Sequence, residues 1–291
     1  MKLTTRIIHR LVFYCRMETI FIVLRRVNDL FHKFLPLPAD YYSTDLIKCK
    51  RDNVNFWVNR SDYMQWVVYA NEPDNSWKAA TEFLDSNSIV LDVGANFGAF
   101  SFKVAEIIRS KQIGNCSIHA FEPNPFVVEK FRMNLGENPN LQELVHLHAE
   151  AIGAEEKYIS MNFSKSNTGG GRVMVELEKG EIPMTTIDKL VSLNNWQISF
   201  MKIDVEGFEP FVLQGASETV RTQQPAIFME MTDKWFRAHQ SSNEDIVDYF
   251  MGLDYRVMIE SHRGFIEMDS AKSIPKKDQF NILFVPTRMA D

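Results

Sequence analysis

The sequence predicts an α/β fold built around a doubly wound parallel sheet, with amphipathic helices in front of it. From about residue 88, short apolar runs such as Ser88–Val93 and Ile198–Val205 alternate with segments of helical periodicity. A glycine-containing turn follows the first run. The last two runs, Tyr255–Glu260 and Phe280–Val285, have no helix between them, so we expect the last strand to insert antiparallel.

Each element is predicted from its own pattern of apolar residues and turn residues. The predicted strands are Ser88–Val93, Ser117–Phe121, Leu144–His148, Ile198–Val205, Ala226–Met231, Tyr255–Glu260 and Phe280–Val285. The predicted helices among them are Phe97–Ser110, Pro125–Leu135, Glu209–Arg221 and Asn243–Leu253. We expect three regions: a basic helical segment over residues 1–38, a lead-in over 39–87, and the α/β domain over 88–291.

Composition excludes several classes of protein. Of the 291 residues, 45% are hydrophobic and only 13 are Gly and 11 Pro, which argues against disorder. The three cysteines, Cys15, Cys49 and Cys116, are too few and too scattered for a disulfide framework or a zinc site. Reduced thiols in the cytoplasm are the expectation.

Charge is distributed unevenly along the chain. Residues 1–34 carry seven basic and two acidic side chains, a net charge of +5, so the rest carries −11 of the total of −6. The acidic body argues against a nucleic-acid partner. The basic helical segment predicts attachment to an anionic membrane surface, and packing on the domain itself or on a second subunit is the alternative. Its longest charge-free apolar stretch, Thr19–Leu24, is too short for a transmembrane span, and no signal-peptide cleavage site follows.

The turn after the first strand carries the most specific pattern, Leu91-Asp92-Val93-Gly94-Ala95-Asn96-Phe97-Gly98. Gly94 and Gly98 permit a tight bend and a close approach to a ligand. A GxGxxG phosphate-binding turn is excluded because Asn96 replaces its second glycine. Asp92 suits a ligand with a cationic group, and a purely structural turn is the alternative.

The second strand ends in Phe121-Glu122-Pro123-Asn124. A carboxylate at this point can accept hydrogen bonds from the two ribose hydroxyls of a nucleoside. Glu122 gains weight because it follows the Asp92 turn by one strand–helix unit.

These two motifs and a third, Lys202-Ile203-Asp204-Val205-Glu206-Gly207, resemble those of the FkbM family of S-adenosylmethionine-dependent methyltransferases. The resemblance runs from about Val67 to Met231, and Tyr69–Pro73 and Thr185–Asp188 share it. It implies the Rossmann-like, seven-stranded class I methyltransferase sheet and O-methylation of sugar or polyketide hydroxyls.

The resemblance also implies which residues hold the methyl donor. It assigns Asp92, Gly94, Asn96 and Gly98 to the methionine part, Glu122 to the ribose, and the segment His148–Ile152 with Ala151 to the neighbourhood of the adenine. Glu72, Asn124 and Asp204 complete the expected cofactor-binding set.

The end of the fourth strand is expected to supply the chemistry. Asp204 and Glu206 are two residues apart and are expected to face one side of the strand. Two roles stay open: one carboxylate acts as general base on the acceptor hydroxyl, or the pair holds a divalent cation such as Mg²⁺. Glu230 and Asp233, at the end of the next strand, would complete the cation site, and Glu230 is also a candidate catalytic residue; a merely orienting or helix-capping Asp204 is the alternative.

Four further features have weaker patterns. His239 and His262 are candidate bases, whereas His146 and His148 are expected to pack on their strand. Thr168–Arg172 is either a hairpin turn or a loop that closes over substrate. Trp235 and Phe236 either stack on a sugar ring or pack in the core.

The sequence therefore predicts a methyltransferase that uses S-adenosylmethionine on a hydroxyl of a saccharide, glycolipid or similar small molecule. A nucleobase acceptor is disfavoured, because the Asn/Asp-Pro-Pro-aromatic turn of base methylases is replaced by Asp204-Val205-Glu206-Gly207. Two alternatives stay open: a non-catalytic scaffold that keeps the fold, and an N-methyltransferase acting on a small molecule or protein. A homo-oligomer is compatible with the sequence.

Overall fold

The computed structural model describes residues 18–25, 34–42, 46–162, 172–174, 181–238, 240–261 and 264–289, together with Ile8 and Val12. It divides into two compact units, one ending at Pro73 and one that begins at Asp74 and contains the large sheet. Within the described ranges, no helix is both long and apolar enough to cross a bilayer.

The first unit contains a β-hairpin and short helices. Its elements are helix α1 (Glu18–Arg25), strands β1 (Leu46–Arg51) and β2 (Val54–Asn59), and helix α2 (Tyr63–Tyr69). The hairpin turn uses Asp52 and Asn53 with positive φ, as a two-residue turn requires. The Asp62 side chain caps α2 by accepting a hydrogen bond from the Gln65 N–H.

The second unit alternates strands and helices. Its helices are α3 (Ser76–Glu82), α4 (Ala99–Lys111), α5 (Pro125–Gly136), α6 (Ile187–Asn194), α7 (Glu209–Gln214), α8 (Ser217–Gln223), α9 (Asp233–Ala238) and α10 (Asn243–Met251). Its strands are β3 (Ile89–Val93), β4 (Ser117–Phe121), β5 (Val145–His148), β6 (Ala151–Ile152), β7 (Lys157–Asn162), β8 (Arg172–Met174), β9 (Ile182–Thr185), β10 (Ile198–Ile203), β11 (Ala226–Met231), β12 (Tyr255–Ser261), β13 (Gly264–Met268) and β14 (Phe280–Pro286).

The large sheet confirms the predicted topology. Its order is β13-β12-β14-β11-β10-β3-β4-β5, and β14 runs antiparallel to both β11 and β12. All seven predicted strands occur in it. The eighth, β13, forms a hairpin with β12 at the edge and was not predicted, because its residues, mostly exposed or half-buried, show neither a buried apolar run nor a regular alternation.

Two details of the prediction are wrong. The helix expected over Glu209–Arg221 is two helices, α7 and α8, which break at Gly215. A Cβ on Gly215 would lie 2.0 Å from the Gly153 carbonyl oxygen, so the backbones approach too closely for any side chain. A small sheet of order β6-β9-β7-β8 also forms, and its strand β9 had no sequence signal because it spans only four residues including Pro183.

The core explains why these runs form strands. Residues of β10, β11 and β14 alternate into apolar layers on both faces of the sheet, with Phe200, Met229 and Phe284 fully buried. The rigid centre of the sheet therefore fixes the carboxyl ends of β3, β10 and β11, where the polar motifs of the sequence lie.

Candidate active site

The turn after β3 is shaped by backbone that only glycine permits. Gly94 has φ +82°, and a Cβ there would lie 1.9 Å from the Asp204 carbonyl oxygen. Asn96 also adopts positive φ, and its Oδ1 accepts a hydrogen bond from the Phe97 N–H. Gly98, at φ +94°, precedes α4. The turn therefore lies directly against the end of β10, and it exposes backbone where a ligand can approach.

Asp92 is fully buried beneath this turn. Its Oδ2 accepts a 2.6 Å hydrogen bond from the Ser101 hydroxyl of α4, whereas Oδ1 has no hydrogen-bond partner. Burial raises the pKa of Asp92, and the nearby Lys202 ammonium and Ser101 oppose that rise. The unpartnered oxygen is the feature expected of a carboxylate that receives a cationic or hydrogen-bonding ligand group.

Glu122 lies beside the turn at the end of β4. Its Oε2 accepts from the Asn96 N–H at 3.0 Å and its Oε1 from the Asn124 N–H at 2.9 Å. Burial raises the pKa of Glu122 to about 7, although both backbone hydrogen bonds and Lys202 favour the charged form. The Glu122 N–H itself donates to the His148 carbonyl oxygen, so the segment after β5 lies next to Glu122.

Lys202 lies close to two carboxylates that the sequence singled out, Asp92 on β3 and Asp204 just after β10. It pairs with Asp92 in the parallel register, and its Nζ lies 3.0 Å from Asp204 Oδ2 and 3.8 Å from Asp92 Oδ1. Lys202 begins the third sequence motif but was given no role there, although a single charged residue inside the apolar run Ile198–Ile203 was the signal for one.

The expectation that Asp204 and Glu206 face one side of a strand is wrong. Strand β10 ends at Ile203, so both residues lie in the following turn. Glu206 is exposed and has φ +55°, and the half-buried Asp204 is held by Lys202. Asp204 does not cap the next helix: Phe208 occupies that position and makes no side-chain cap.

Glu209 supports this turn from below. Its Oε1 accepts from the N–H groups of Val205 at 2.9 Å and Gly207 at 3.3 Å, and its Oε2 is buried without a partner. Burial raises the pKa of Glu209 to about 7. Gly207 has φ +98° and packs on Trp235, where a Cβ would lie 2.6 Å from the Trp235 Cβ.

Glu230 lies beside Asp204 at the carboxyl end of β11. Burial raises the pKa of Glu230 to about 8, and the carboxylates of Asp204, Glu206 and Glu209 add to the rise. The Gln279 side chain donates a hydrogen bond to Glu230 Oε1. The three predicted catalytic carboxylates, Asp204, Glu206 and Glu230, therefore lie near enough for the first two to raise the pKa of the third.

A row of polar side chains continues from Glu230 along the same edge. Asn281 of β14 pairs with Glu230 in the sheet register and donates a 2.6 Å hydrogen bond to Glu260 of β12. Asn75 donates to the other oxygen of Glu260 at 2.8 Å. This row had no signal in the sequence, because its members come from separate segments of the chain with no shared motif.

The carboxylates do not form a metal site in the described part of the chain. No group of three or more His, Cys, Asp or Glu side chains there is arranged to hold a metal ion. Asp233, the fourth expected ligand, accepts hydrogen bonds from Arg237 and from the Asn243 N–H instead. The expected divalent cation therefore has no support.

Other candidates take structural positions or lie elsewhere. Asn124 caps α5 by accepting from the Phe126 N–H, and Ala151 is buried in β6. Phe236 is fully buried, so stacking of its ring on a sugar is wrong. His148 packs as predicted, its ring stacked on Phe121 at 4.6 Å.

The structure does not test the predictions for Glu72, for the two candidate histidine bases and for the loop Thr168–Arg172. Glu72 belongs to the first unit, and its role in cofactor binding stays a prediction. His239, His262 and the stretch 168–171 lie outside the described residues. Arg172 is described only as part of the β8 backbone.

The chain resembles several methyltransferases of known structure at low sequence identity. Similar solved structures include a methyltransferase FkbM from Methylobacillus flagellatus KT, at 19% identity and a TM-score of 0.45, covering 69% of this chain and 44% of that chain. This chain thus spans less than half of that protein.

Two further structures show the same general likeness. An rRNA methylase from Streptococcus thermophilus is 13% identical, with a TM-score of 0.42 over 72% of this chain and 93% of that chain. A SAM dependent methyltransferase from Aquifex aeolicus is 12% identical, with a TM-score of 0.39 over 75% and 96%. No curated protein matches the sequence.

The family model described as Methyltransferase FkbM domain matches residues 92–257, from the buried Asp92 of the turn to β12. Because this match covers more than half of the chain, the protein belongs to the FkbM family of methyltransferases.

Proposed function

We propose that the protein transfers the methyl group of S-adenosylmethionine to a hydroxyl of a saccharide, glycolipid or similar small molecule. One observation carries the proposal: Asp204, just after β10, and Glu230, near the end of the neighbouring strand β11, lie beside a glycine turn suited to the methyl donor. Glu230 and Asp204 are the carboxylates proposed to act on the acceptor.

The residues around the turn have the chemistry that the methyl donor needs. Asp92 offers a buried carboxylate oxygen without a hydrogen-bond partner, which favours a cationic group. Glu122 is the proposed ribose acceptor, and Gly94, Asn96 and Gly98 leave backbone room for the methionine part. When bound, the donor supplies an activated methyl group, so alignment alone contributes roughly 7–11 kcal/mol to lowering the barrier.

Glu230 is the proposed general base. A pKa of about 8 lies close to physiological pH, where a base is both available and strong enough to accept a hydroxyl proton. Since only the charged form accepts a proton, activity should rise with pH through about 8. Asp204, fixed by its hydrogen bond to Lys202, is proposed to orient the acceptor.

The polar row of Gln279, Asn281, Glu260 and Asn75 supports a polyhydroxyl acceptor. Amide and carboxylate groups can donate to and accept from several hydroxyls at once. An apolar acceptor would cover the donor and acceptor positions that these groups do not use on one another, at a cost in desolvation free energy.

The first test is calorimetric titration of the full chain with S-adenosylmethionine. We expect micromolar binding that Asp92→Ala and Glu122→Ala each weaken at least tenfold, while Glu129→Ala, on an exposed face of α5, leaves it unchanged. A well-folded wild type that does not bind would overturn the proposal in favour of a non-catalytic scaffold.

The acceptor class is tested with radiolabelled methyl donor and panels of saccharides, glycolipids, amines and proteins, with and without chelator. Transfer to hydroxyls, lost in Glu230→Gln, supports the proposal. Transfer to amines alone would make the protein an N-methyltransferase. Loss of activity on adding the chelator would mean that the reaction needs a divalent cation.

We further propose a cytoplasmic protein that attaches to membrane surfaces through residues 1–34. The net charge of +5 in this segment supports the proposal, and so does α1, whose Ile20 is half exposed. A glycolipid acceptor would then be reached at the surface itself.

A further inference from the structure

Among the described ion pairs, Lys202 is the one cation that pairs with both Asp92 and Asp204. It lies in the buried strand β10, and only 12% of its side chain is exposed. Its Nζ is 3.0 Å from Asp204 Oδ2, within hydrogen-bond distance, and 3.8 Å from Asp92 Oδ1. A lysine so placed costs desolvation free energy, which must be offset by those two carboxylates.

Geometry makes the three groups one electrostatic unit. Asp92 and Lys202 are register partners on adjacent parallel strands, so their side chains lie on the same face of the sheet. The carbonyl oxygen of Asp204 lies against Gly94, so the turn of the donor site and the Asp204 backbone cannot move independently. The unit has two negative charges and one positive charge, a net −1 that complements a single cationic ligand group.

We propose that Lys202 is a positioning residue of the methyl-transfer site: it neutralises the buried Asp92 carboxylate and holds Asp204 at the edge of the glycine turn. This inference rests on the proposed function, because Asp92 is assigned to the donor and Asp204 to the acceptor there. Lys202 acts through the two carboxylates and need not touch either substrate.

The proposal predicts a pH dependence that a packing role would not produce. Without Lys202, only the hydrogen bonds from Ser101 oppose the effects of burial and of Asp204 on Asp92, so the pKa of Asp92 rises further. Below that pKa the carboxyl is neutral and attracts a cationic donor poorly. The other charged and titratable groups that act on this pair are Asp204, Glu122 and Asp74. They are acidic, so none of them replaces the lost cation.

The test is calorimetric titration of the full chain with S-adenosylmethionine between pH 6 and pH 9, for wild type, Lys202→Gln and Lys202→Arg. We expect the Kd of Lys202→Gln to be at least about tenfold above that of the wild type at pH 6.5, and this ratio to fall towards pH 9. The Kd of Lys202→Arg should stay within about threefold of the wild-type value at every pH. Taking the ratio of variant to wild-type Kd removes the effect of ligand ionisation, which is the same for both proteins. Lys103→Gln, at another buried lysine, is the matched control.

Three outcomes for the Lys202 variants would overturn the proposal. A constant Kd ratio for Lys202→Gln across the pH range would mean that charge is not its role, and a loss in Lys202→Arg as large as in Lys202→Gln would mean the same. If Lys202→Gln does not fold, the double variant with Asp92→Asn should recover thermal stability because neither charge is then buried, and failure to recover overturns the proposal. A wild type that does not bind the donor overturns the proposed function itself. Failure of the Lys202 proposal alone is distinguishable, because the wild type then still binds the donor.

Discussion

At the scale of single residues, the buried carboxyl of Glu209 makes stability depend on pH. Its pKa is about 7 in the folded chain and about 4.5 when unfolded, so ionisation is less favourable in the folded state. The stabilisation is complete below about pH 4.5 and is lost as pH rises to about 7. We expect Glu209→Gln to reduce the fall in unfolding free energy between pH 5 and pH 8 by about 2–3 kcal/mol, measured by urea unfolding.

The glutamine keeps an oxygen for the Val205 and Gly207 N–H groups, so the turn itself should survive. Glu143→Gln, on an exposed surface, is the control and should follow the wild-type pH dependence. Identical pH slopes in Glu209→Gln and wild type would show that the buried Oε2 finds a partner in solution.

At the scale of elements, Asp188 ties helix α6 to helix α8. Its two oxygens accept hydrogen bonds from the N–H groups of Glu218 and Thr219 and from the Thr219 hydroxyl. The α8 N-terminus has no side-chain cap of its own, so Asp188 supplies one from another element. Asp188, the last residue of the family-like motif Thr185–Asp188, thus has a structural role.

We expect Asp188→Ala to lower the unfolding free energy by about 1–3 kcal/mol, because a capping carboxylate is lost and the Thr219 hydroxyl is left unpaired. Urea unfolding measures the loss, and donor affinity should change less than about twofold. Asp248→Ala, on the exposed face of α10, should cost under about 0.5 kcal/mol. A large loss of donor affinity in Asp188→Ala without loss of stability would contradict this assignment.

The same scale explains which elements the sequence could predict. Strands β3, β10 and β11 are continuous apolar runs between turn residues, and burial on both faces imposes that pattern. Strand β9 and the break at Gly215 depend on contacts with distant backbone, so no local pattern marks them.

The residues of the candidate site likewise fall into those that the sequence could predict and those that it could not. Asp92, Gly94 and Glu122 follow strand ends, where the topology of a parallel sheet makes polar residues informative. The hydrogen bond from Lys202 to Asp204 and the row from Glu230 to Asn75 join residues through the sheet register, which appears only once the strands are ordered.

At the scale of the whole molecule, the separation of charge predicts how the chain meets a membrane. The basic residues of the first 34 positions give that segment a net charge of +5, whereas the rest carries −11. An anionic surface attracts each nearby basic side chain by about 1 kcal/mol and repels acidic residues, so binding should depend on the first 34 residues and not on the rest of the chain.

Flotation of the full chain with vesicles tests this arrangement. Binding to phosphatidylserine-containing vesicles should be lost on neutral vesicles, weakened by high salt, and reduced roughly a hundredfold by changing Arg6, Arg10 and Arg16 together to Ser. Changing the exposed Lys272, Lys276 and Lys277 to Ser removes the same charge from the acidic body and should leave binding unchanged. Equal losses in both triple variants would mean that total charge governs binding, and no flotation of the wild type would leave residues 1–34 to pack on the domain or on a second subunit.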